Sequence, residues 1–510
     1  MKTDVIIVGA GPTGLALACQ LIRYDVDFVI LDKKETTTPY SKAIGVQART
    51  LEIYDQIGLA DDLIAKGAIA EKARLVVEGE VRGEIEFGEL GVGLSSYPFV
   101  LLVEQGEHEK ILYNFIRANE RDVLWKTEIE SFTQDESKVK ASIKHASGET
   151  ETIEAKFIVA CDGAKSPIRH SLGLKFEGST FERIFYVADV EIDWKFSHDA
   201  LMVFLMRENL LAFFPMVGSN KHFRIVGTFP EEFAKDEGKI LYDEIEERIK
   251  QDVEVEFDIT NVNWFSTYKV HTRHVEKFSV GRCFLAGDAA HIHTPAGAQG
   301  MNTGIQDGYN LAWKIAMVLR GAATDKLLET YNQERLENAE NLLKTTDRLF
   351  NLVASPEPIL SYLRTTVFPF IAGVAFSLDA VKKFVFPRIS QIGINYRHSA
   401  LSENGAGNFK IKAGDRMPYF FINGKSIYDN LREPKFHLLV FSNDGNRYQN
   451  LENELRNDSI DFAEAPLSVE VQEIFGTEEP FFVLLRPDNY IGLISAEIST
   501  EIVRNYLSKF

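Results

Sequence analysis

The chain has 510 residues, of which 45% are hydrophobic, and it carries a formal net charge of −19. This length predicts about two or three domains, and the hydrophobic content excludes a wholly disordered chain. The negative charge argues against nucleic acid and against anionic membrane surfaces as partners, because both require a basic face.

The first predicted elements lie in the N-terminal segment DVIIVGAGPTGLALACQLIRYDVDFVILDKK. Its pattern predicts a buried strand, a glycine turn, a helix and a second strand. Gly9, Gly11 and Gly14 have the spacing G-x-G-x-x-G, which permits the turn, the approach of a pyrophosphate and the packing of helix on strand. Asp32 ends the second strand, where a carboxylate accepts hydrogen bonds from a ribose diol. We therefore predict dinucleotide binding; a glycine turn in an unrelated α/β unit is the alternative.

Two comparable units follow later in the chain. FIVACDGAKSPIRHSLGL (157–174) predicts a strand, the pair Asp162-Gly163 and a helix. GRCFLAGDAAH (281–291) predicts a strand that ends at Gly287-Asp288, before a glycine-rich turn. The amphipathic helix after this turn begins near Gly300, where its N–H dipoles can face an anion. One dinucleotide fold needs only one glycine motif, so three strand ends with an acid or a glycine turn favour one long ligand such as FAD.

Between these units the sequence changes character. FYVADVEIDW, ALMVFLMRENLLAFFPMV and HFRIVGTF alternate or run apolar, which predicts an antiparallel sheet. His291 and His293 lie in a glycine turn without a third ligand, so we expect no metal site and a structural role for His291.

The remaining signals concern the compartment. The three cysteines are far apart in the sequence, which gives no disulfide framework and favours the cytoplasm. The N-terminus predicts a strand and not a signal peptide. The most apolar stretch, TTVFPFIAGVAFSL (365–378), is interrupted by Pro369 and predicts a buried helix pair, with no membrane contact.

The order of the motifs resembles that of the single-component (group A) FAD-dependent aromatic hydroxylases, in the phenol and polyketide hydroxylase branch. G-x-G-x-x-G at 9–14, Asp162-Gly163 and Gly287-Asp288 match in sequence order. The smaller matches are VQARTLEIYDQIGL (46–59), LLVEQGEHEKIL (101–112), YNQER (331–335), AGDRMPYFF (413–421) and FFVLLRPDNYIGLIS (481–495). The resemblance therefore covers essentially the whole chain.

The resemblance implies an α/β fold with three parts. A discontinuous FAD-binding, Rossmann-like domain of the glutathione-reductase type would comprise residues 1–70, 100–172 and 275–345. An inserted antiparallel-sheet substrate domain would comprise 71–99 and 173–274, followed by a helical linker segment at 346–400. Residues 401–510 would form a thioredoxin-like domain that has no cysteine for redox chemistry.

The resemblance also implies site residues, with FAD held non-covalently and NADPH or NADH as co-substrate. Small residues from Pro295 onwards would form the flavin's bed, and Pro295 and His293 are the catalytic candidates. The implied cofactor-binding residues are Gly9, Gly11, Gly14, Asp32, Lys33, Lys42, Arg49, Gln105, Asp162, Asp288, Pro295, Gly297, Ala298, Gly300, Met301 and Asn302. The candidates for the substrate pocket are Met206, Phe213, Phe214 and Pro215, for which plain core packing is the alternative.

The activity implied by the resemblance is hydroxylation of a phenolic or polycyclic aromatic substrate by O₂ through a flavin C4a-hydroperoxide. A homodimer is an expected assembly. Another flavin activity, as a reductase, oxidase or halogenase, and a non-catalytic flavin-binding protein are the alternatives. The four tryptophans do not form W-x-W-x-I-P, which argues against a halogenase.

Three positions depart from the family pattern. Gly297-Ala298 stands where many relatives carry two glycines, and we expect the methyl group to be tolerated. Ser41-Lys42 replaces a common Ser-Arg; lysine keeps the charge but loses the planar fork, which predicts looser phosphate or NADPH binding. Ile44 stands where phenol hydroxylase has an aspartate base, which argues against hydroxylation of simple phenols in that manner.

Overall fold

The fold is a mixed α/β arrangement built on two large sheets and a smaller C-terminal sheet. The computed structural model describes residues 1–39, 43–88, 90–206, 209–229, 242–294, 296–354, 357–444, 451, 454–455 and 460–510. The strands are β1 (Val5–Val8), β2 (Phe28–Leu31), β3 (Gly45–Val46), β4 (Ala68–Ala70), β5 (Lys72–Val77), β6 (Glu80–Glu86), β7 (Val100–Leu102), β8 (Val123–Leu124), β9 (Glu128–Gln134), β10 (Val139–Lys144), β11 (Thr150–Ala155), β12 (Phe157–Ala160), β13 (Phe176–Trp194), β14 (Leu201–Leu205), β15 (Leu210–Pro215), β16 (His222–Thr228), β17 (Phe257–Val275), β18 (Ser279–Val280), β19 (Cys283–Leu285), β20 (His291–Ile292), β21 (Glu403–Asn404), β22 (Phe421–Ile422), β23 (Lys425–Ser426), β24 (Phe436–Phe441), β25 (Ile460–Ala465), β26 (Phe481–Leu485) and β27 (Ile491–Ser495).

Helices connect and cover these strands. They are α1 (Pro12–Arg23), α2 (Ala48–Asp55), α3 (Ala60–Lys66), α4 (Gln105–Ala118), α5 (Pro167–Ser171), α6 (Tyr242–Val253), α7 (Gly300–Leu319), α8 (Lys326–Ala354), α9 (Pro358–Tyr362), α10 (Phe368–Ser377), α11 (Asp379–Ile389), α12 (Val469–Phe475) and α13 (Thr500–Leu507). Short 3₁₀ turns lie at Gly287–Ala289, Ala296–Ala298 and Ile427–Asn430, and a π-helical turn at Leu363–Val367 joins α9 to α10.

The first sheet has the order β18-β19-β12-β1-β2-β8 and is parallel from β19 to β8. Its central strands β1 and β12 are continuous apolar runs, since they are buried on both faces in one core with α1, α4, α7 and the sheet β11-β10-β9. β2 and β12 lie on opposite sides of β1, so the strand order switches sides at β1. Such a switch leaves a crevice at the carboxyl ends of the strands. The parallel sheet with its covering helices confirms the predicted α/β class.

The second sheet has the order β20-β17-β13-β16-β15-β14-β5-β6 and is antiparallel except where β14 pairs with β5. One face packs in a core with the apolar side of α6. The opposite face meets the small sheet β3-β7-β4, because Phe214 and Met216 pack against Ile44, Ala70 and Leu102. This second face therefore looks towards the first sheet.

The C-terminal sheet has the order β21-β27-β26-β24-β25. A thioredoxin-like fold for this part remains a prediction, as do the domain boundaries. The strands of the first two sheets lie within the predicted ranges, but β20, from the predicted FAD-binding range, pairs with β17 of the second sheet.

A buried charge cluster joins the C-terminal part to α7 and α8. Glu334 accepts hydrogen bonds from Lys314 Nζ at 2.8 Å and from Arg486 Nη1 at 2.6 Å, and Arg486 also pairs with Asp488. Burial opposes ionisation of Glu334, but the two cations hold its pKa below the usual range. Because an unpaired buried charge is strongly destabilising, the cluster makes the C-terminal part integral to the fold.

The apolar stretch 365–378 is not the buried helix pair that its composition predicts. Only 22% of the window Leu360–Ser377 is buried, although this is the one helical window among the described residues that is long and apolar enough to cross a membrane. Phe370 and Val374 are 65% and 69% exposed, because α10 packs against β6 through its opposite side, at Pro369 and Ala372.

The fold contains a histidine whose burial makes stability depend on pH. His108 on α4 is fully buried, with Nε2 2.8 Å from the Tyr54 hydroxyl on α2, and desolvation lowers its pKa to about 4. A folded-state pKa below the unfolded value means that stability is complete above about pH 6.5 and is lost as the pH falls towards 4.

We expect His108→Gln to remove this pH dependence of stability, because glutamine is neutral throughout this pH range and can still form a hydrogen bond with Tyr54. Between about pH 7 and pH 5 the parent should lose about 2 kcal/mol more unfolding free energy than the variant, measured by urea denaturation. The control is His398→Gln, since His398 is exposed with a side-chain accessibility of 80%. Equal pH slopes for the parent and His108→Gln would contradict the assignment.

Candidate functional site

The glycine turn between β1 and α1 shows why each glycine is required. A Cβ on Gly9, which has φ +106°, would lie 2.3 Å from the Cys161 carbonyl oxygen, and a Cβ on Gly14 would lie 1.9 Å from the Gly9 oxygen. A Cβ on Gly11 would meet no atom within 4 Å among the described residues. Gly9 and Gly14 therefore serve internal packing, whereas Gly11 borders open space at the start of α1.

Asp32 lies at the carboxyl end of β2, directly beside this turn. Its Oδ2 accepts a hydrogen bond from the Ala10 N–H at 2.7 Å and its Oδ1 accepts one from the Lys34 N–H at 2.8 Å. Each oxygen keeps a second lone pair, so the carboxylate can brace the turn and also accept a ribose hydroxyl. The neighbouring Lys33 is exposed.

Asp162 and Asp288 lie after the neighbouring parallel strands, at the same edge of the sheet. Both carboxylate oxygens of Asp162 are buried and make no hydrogen bond of full geometry among the described residues. Burial raises the pKa of this group, although Ser166 and the Ile168 N–H act in the opposite direction. Asp288 is exposed and follows Gly287, which has φ +59° and packs on Thr13 of α1. The structure thus brings Asp32, Asp162 and Asp288 to one edge of the sheet, as their positions after parallel strands imply.

A buried network that the sequence reasoning missed fixes the Gly287 turn. Asp307 Oδ2 accepts the Gly287 N–H at 2.8 Å and lies 2.8 Å from His291 Nε2, while Asp307 Oδ1 accepts the Arg335 Nε–H at 2.6 Å. Burial opposes ionisation of Asp307, but Arg335 and His291 hold its pKa below the usual range. His291 therefore has the structural role expected of it. A charged residue inside the buried helix α7 was the signal for this network.

Asn302 braces the segment 297–302 and does not present its side chain to a ligand. It is fully buried; its Oδ1 accepts from the Gln47 N–H at 2.9 Å and its Nδ2 donates to the Gly45 and Ala298 oxygens. The Asn302 side chain is therefore occupied by these partners, and the predicted cofactor contact of Asn302, through the N–H groups at the start of α7, stays a prediction.

Gln47 is a candidate site residue that the sequence reasoning missed. Its Nε2 donates to the Gly297 oxygen at 2.9 Å, and its Oε1 is buried without a partner among the described residues. An unpaired buried acceptor is costly, which makes this oxygen a candidate contact for a bound group.

The predicted phosphate contact of Arg49, two residues further along the chain, is corrected. Its guanidinium is fully buried, donating to Glu52 at 3.1 Å and to the Asp488 oxygen at 2.9 Å, and its ring contacts are Tyr309 and Tyr490. It ties α2 to the C-terminal part and cannot reach a phosphate without leaving these partners.

The other predicted FAD contacts stay predictions. Gln105 is partly exposed at the start of α4 and donates to Glu109 at 2.8 Å; Gly300 and Met301 begin α7 and are partly exposed. Lys42 and Pro295 lie outside the described residues.

His293 lies beside the start of α7. Its ring is parallel to that of His291, with centroids 5.8 Å apart, and its Cε1 would lie 3.2 Å from a Cβ on Gly300. Burial lowers the pKa of His293 to about 4, so the ring is neutral near pH 7. Its catalytic role stays a prediction.

Ala298 adopts a backbone conformation that favours glycine, with φ +53°. The methyl group of Ala298 fits because the residue opposite, Gly45, has no side chain. A Cβ on Gly45 would lie 2.4 Å from the Ala298 Cβ. The two positions are therefore coupled, and the departure from two glycines in the family is matched by Gly45.

We expect Gly45→Ala to push the two loops apart and to weaken FAD binding, with an added loss of stability of about 1–3 kcal/mol. The double variant Gly45→Ala/Ala298→Gly should recover most of both losses, because it removes the opposing methyl group. Ala298→Gly alone should change stability little, since relief of the left-handed conformation is offset by a more flexible unfolded chain. Unfolding free energies and FAD affinities of the parent, the two single variants and the double variant form a double-mutant cycle. Additive losses in the double variant would contradict the coupling between the two positions.

The face of the second sheet that looks towards the first carries a row of four residues. Phe214, Arg224, Asp189 and Trp264 are direct partners across β15, β16, β13 and β17, so they point to the same side. Arg224 Nε donates to Asp189 Oδ1 at 2.6 Å, and both side chains are buried behind the partly exposed Trp264. Single charges within apolar strands were the signal for this pair, since buried charges need partners.

Three of the four predicted pocket residues lie on the other side of this sheet. Phe213 is fully buried with Trp194 and Phe204 in the core that α6 covers, and Pro215 shares its face because it pairs with Phe223. Met206 packs against the same core. Phe213, Pro215 and Met206 are therefore core residues, and Phe214 remains the pocket candidate.

These features fit a bound FAD. Gly11 leaves open space for a pyrophosphate at the start of α1, and the acids Asp32 and Asp288 flank the same edge of the sheet. Asp162 adds a third carboxylate at this edge, and the Gln47 Oε1, which has no partner among the described residues, lies in the side chain that bonds Gly297. Among the described residues no group of three or more histidine, cysteine, aspartate or glutamate side chains could hold a metal ion.

Comparisons with known proteins identify the family of the chain. A sequence profile for the family described as FAD binding domain matches residues 2–346. A flavin-dependent monooxygenase of Mycobacteroides abscessus is 31% identical and covers 99% of both chains. The 6-methylpretetramide 4-monooxygenase of Streptomyces rimosus is 30% identical, covering 87% of this chain and 80% of its own. The solved structure of the OxyS anhydrotetracycline hydroxylase from Streptomyces rimosus has a TM-score of 0.76 at 26% identity, covering 100% of this chain and 99% of its own.

Proposed function

Since the chain belongs to the FAD binding domain family and is similar over its whole length to a flavin-dependent monooxygenase, we propose that it hydroxylates a polycyclic phenol with NAD(P)H and O₂. FAD, when bound, would supply the redox chemistry of the reaction, namely hydride acceptance from NAD(P)H and activation of O₂. The protein's residues bind and orient both ligands and exclude water from them.

The cofactor-binding part of the proposal rests on the edge of the first sheet. The start of α1 at Gly11 would hold the pyrophosphate, and Asp32 and Asp288 would bind ribose and ribityl hydroxyls. The start of α7 at Gly300 would direct its positive dipole end at the charge that develops on a reduced flavin.

The proposal of a polycyclic substrate rests on the row of residues from Phe214 to Trp264. These rings are separated by three strand spacings, or about 14 Å, which exceeds the length of one benzene ring and suits several fused rings. The pair Arg224–Asp189 between them is charge-balanced, so the wall suits a neutral ring system with hydroxyl or carbonyl groups. Relatives at 30% identity are named for 6-methylpretetramide and for pentachlorophenol, so the row of residues, and not these names, supports the polycyclic class.

Ile44 further restricts the class of phenol that the site favours. It packs beside Met216 and Phe214, where it provides an apolar contact and no general base. A substrate that needs deprotonation of an isolated phenol at this position is disfavoured, whereas a fused phenol, which is electron-rich already, is favoured.

The test is a set of steady-state assays on the FAD-loaded protein with a fused-ring phenol such as anhydrotetracycline and with phenol itself. We expect the fused phenol to stimulate NAD(P)H oxidation at least about tenfold more and to gain one oxygen atom from ¹⁸O₂. Phe214→Ala should raise KM for the fused phenol and leave KM for phenol unchanged.

NAD(P)H oxidation without ¹⁸O in the product would instead identify an oxidase or reductase. Equal stimulation by both phenols would remove the polycyclic assignment while leaving the monooxygenase intact. A protein that binds FAD but never turns over with any phenol would favour a non-catalytic flavin-binding role.

A further inference from the structure

Helices α9 to α11 present an apolar surface to solvent, which we term the apolar face. Its members are large hydrophobic side chains on consecutive turns, each at least 38% exposed: Tyr362, Leu363, Phe368, Phe370, Ile371, Val374, Leu378 and Phe384. Soluble proteins seldom expose so many large apolar side chains in one contiguous segment, so this surface is a candidate interaction site.

The opposite side of the same helices is anchored in the fold. A Cβ on Gly83 of β6 would lie 2.3 Å from the Pro369 oxygen, and a Cβ on Gly91 would lie 2.2 Å from the Phe386 ring. Ala372 and Phe386 are each 1% exposed. The helices are therefore one-sided, which is the arrangement of a segment that lies along an interface and not of one that crosses a bilayer.

The charge of this segment is opposite to that of the chain. Residues 360–389 contain Arg364, Lys382, Lys383 and Arg388 but only Asp379 as an acid, so their net charge is +4 − 1 = +3, against −19 for the whole chain. Arg364 turns inward to the Met206 oxygen, which leaves three cations at α11.

Basic and aromatic groups alternate at this end of the face. The Arg388 guanidinium lies 3.7 Å from the centroid of the Phe384 ring, and Lys383 precedes that ring in the exposed part of α11. The acid of β6 nearest α10, Glu84, is paired with Arg74 at 2.8 Å. Aromatic side chains beside lysine and arginine are typical of surfaces that insert between lipid headgroups.

We propose that the apolar face docks on the surface of a bilayer that contains anionic lipids. Phe370, Ile371 and Val374 enter the boundary between headgroups and acyl chains, while the cations of α11 contact the phosphates. The overall negative charge does not prevent this, because charges farther than about 8 Å from the membrane are screened at physiological ionic strength. The inference does not rest on the proposed substrate, and it replaces the expectation of no membrane contact.

The experiment is vesicle flotation of the FAD-loaded full-length protein. Vesicles of phosphatidylcholine with about 30% phosphatidylglycerol should bind it, vesicles of phosphatidylcholine alone should bind it less, and added salt should weaken the binding. Phe370→Gln/Val374→Gln should reduce affinity at least about tenfold, and Lys382→Glu/Lys383→Glu should abolish the preference for anionic lipid. The matched control is Val469→Gln, because Val469 is an apolar residue that is 70% exposed outside this face.

Size-exclusion chromatography with light scattering is run on the same proteins. If the parent ignores both kinds of vesicle and forms a dimer that the Phe370→Gln/Val374→Gln variant dissolves, the apolar face is a contact between two copies and the membrane proposal is overturned. A monomer that ignores both kinds of vesicle also overturns it. Circular dichroism and FAD content of each variant establish that the fold is retained.

Discussion

Gly11→Ala and Gly14→Ala are expected to fail in different ways. The Gly14→Ala protein should lose about 3 kcal/mol or more of stability even without FAD, because its Cβ would overlap the Gly9 oxygen at 1.9 Å and neither backbone can move aside. The Gly11→Ala protein should fold normally, since its Cβ meets no described atom within 4 Å, but should bind FAD at least about tenfold more weakly.

Two measurements separate these outcomes: urea unfolding of FAD-free protein and fluorescence titration with FAD. Gly148→Ala is the control for replacing a left-handed glycine, because Gly148 has φ +85° in an exposed turn with no described atom near its Cβ position. It should cost only about 1–2 kcal/mol and leave FAD binding unchanged. The idea that Gly11 borders the pyrophosphate would be abandoned if Gly11→Ala bound FAD like the parent.

Asp307→Ala is expected to destabilise the protein by about 3–5 kcal/mol and to weaken FAD binding. The substitution would leave Arg335, which is fully buried, with only the Tyr396 hydroxyl and the Thr303 oxygen as partners. It would also leave the Gly287 N–H without its acceptor. Since the pKa of Asp307 lies below the usual range, its contribution is complete at neutral pH and is lost only as the pH falls through that low value.

The size of the effect distinguishes a buried network from an ordinary ion pair. Asp199→Ala breaks the pair with Arg74, whose distance is 2.8 Å, but Asp199 is 48% exposed, so we expect a loss of less than about 1 kcal/mol. Asp307→Asn keeps the shape of the side chain and removes its charge. Its loss of stability should be close to that of Asp307→Ala if the main role of Asp307 is to neutralise Arg335. A loss near zero for both Asp307 variants would show that the network does not hold the Gly287 turn.

The parts of the fold and site that could be predicted are those set by short-range chemistry. The glycine spacing and the acid at the end of β2 lie within one β-α-β unit, so local pattern suffices to place Gly9, Gly14 and Asp32. The same logic found Asp162 and Asp288, because carboxyl ends of parallel strands share one edge of a sheet.

The parts that could not be predicted depend on distant partners. Arg49 bonds the Asp488 oxygen, 439 residues away, and nothing in its own segment reveals that contact. The run LLAFFP is apolar on both sides of β15, so no alternation shows whether Phe213 or Phe214 faces the pocket. The apolar stretch 365–378 predicts burial by composition, but composition does not say whether protein is present to cover it.

The pairing of β12 with β19 has a consequence for how the protein is made. Ala160 lies beside Leu285, so β12 of the first sheet lacks its neighbour β19 until the ribosome has added the residues between them. At roughly 5–20 residues per second, those 285 − 160 = 125 residues take about 6–25 s. During that interval β12 carries an open apolar edge, while strands β13 to β16 of the second sheet, which end at Thr228, can pair with one another first. Synthesis therefore favours a nascent chain in which most of the second sheet pairs before β19 completes the first sheet.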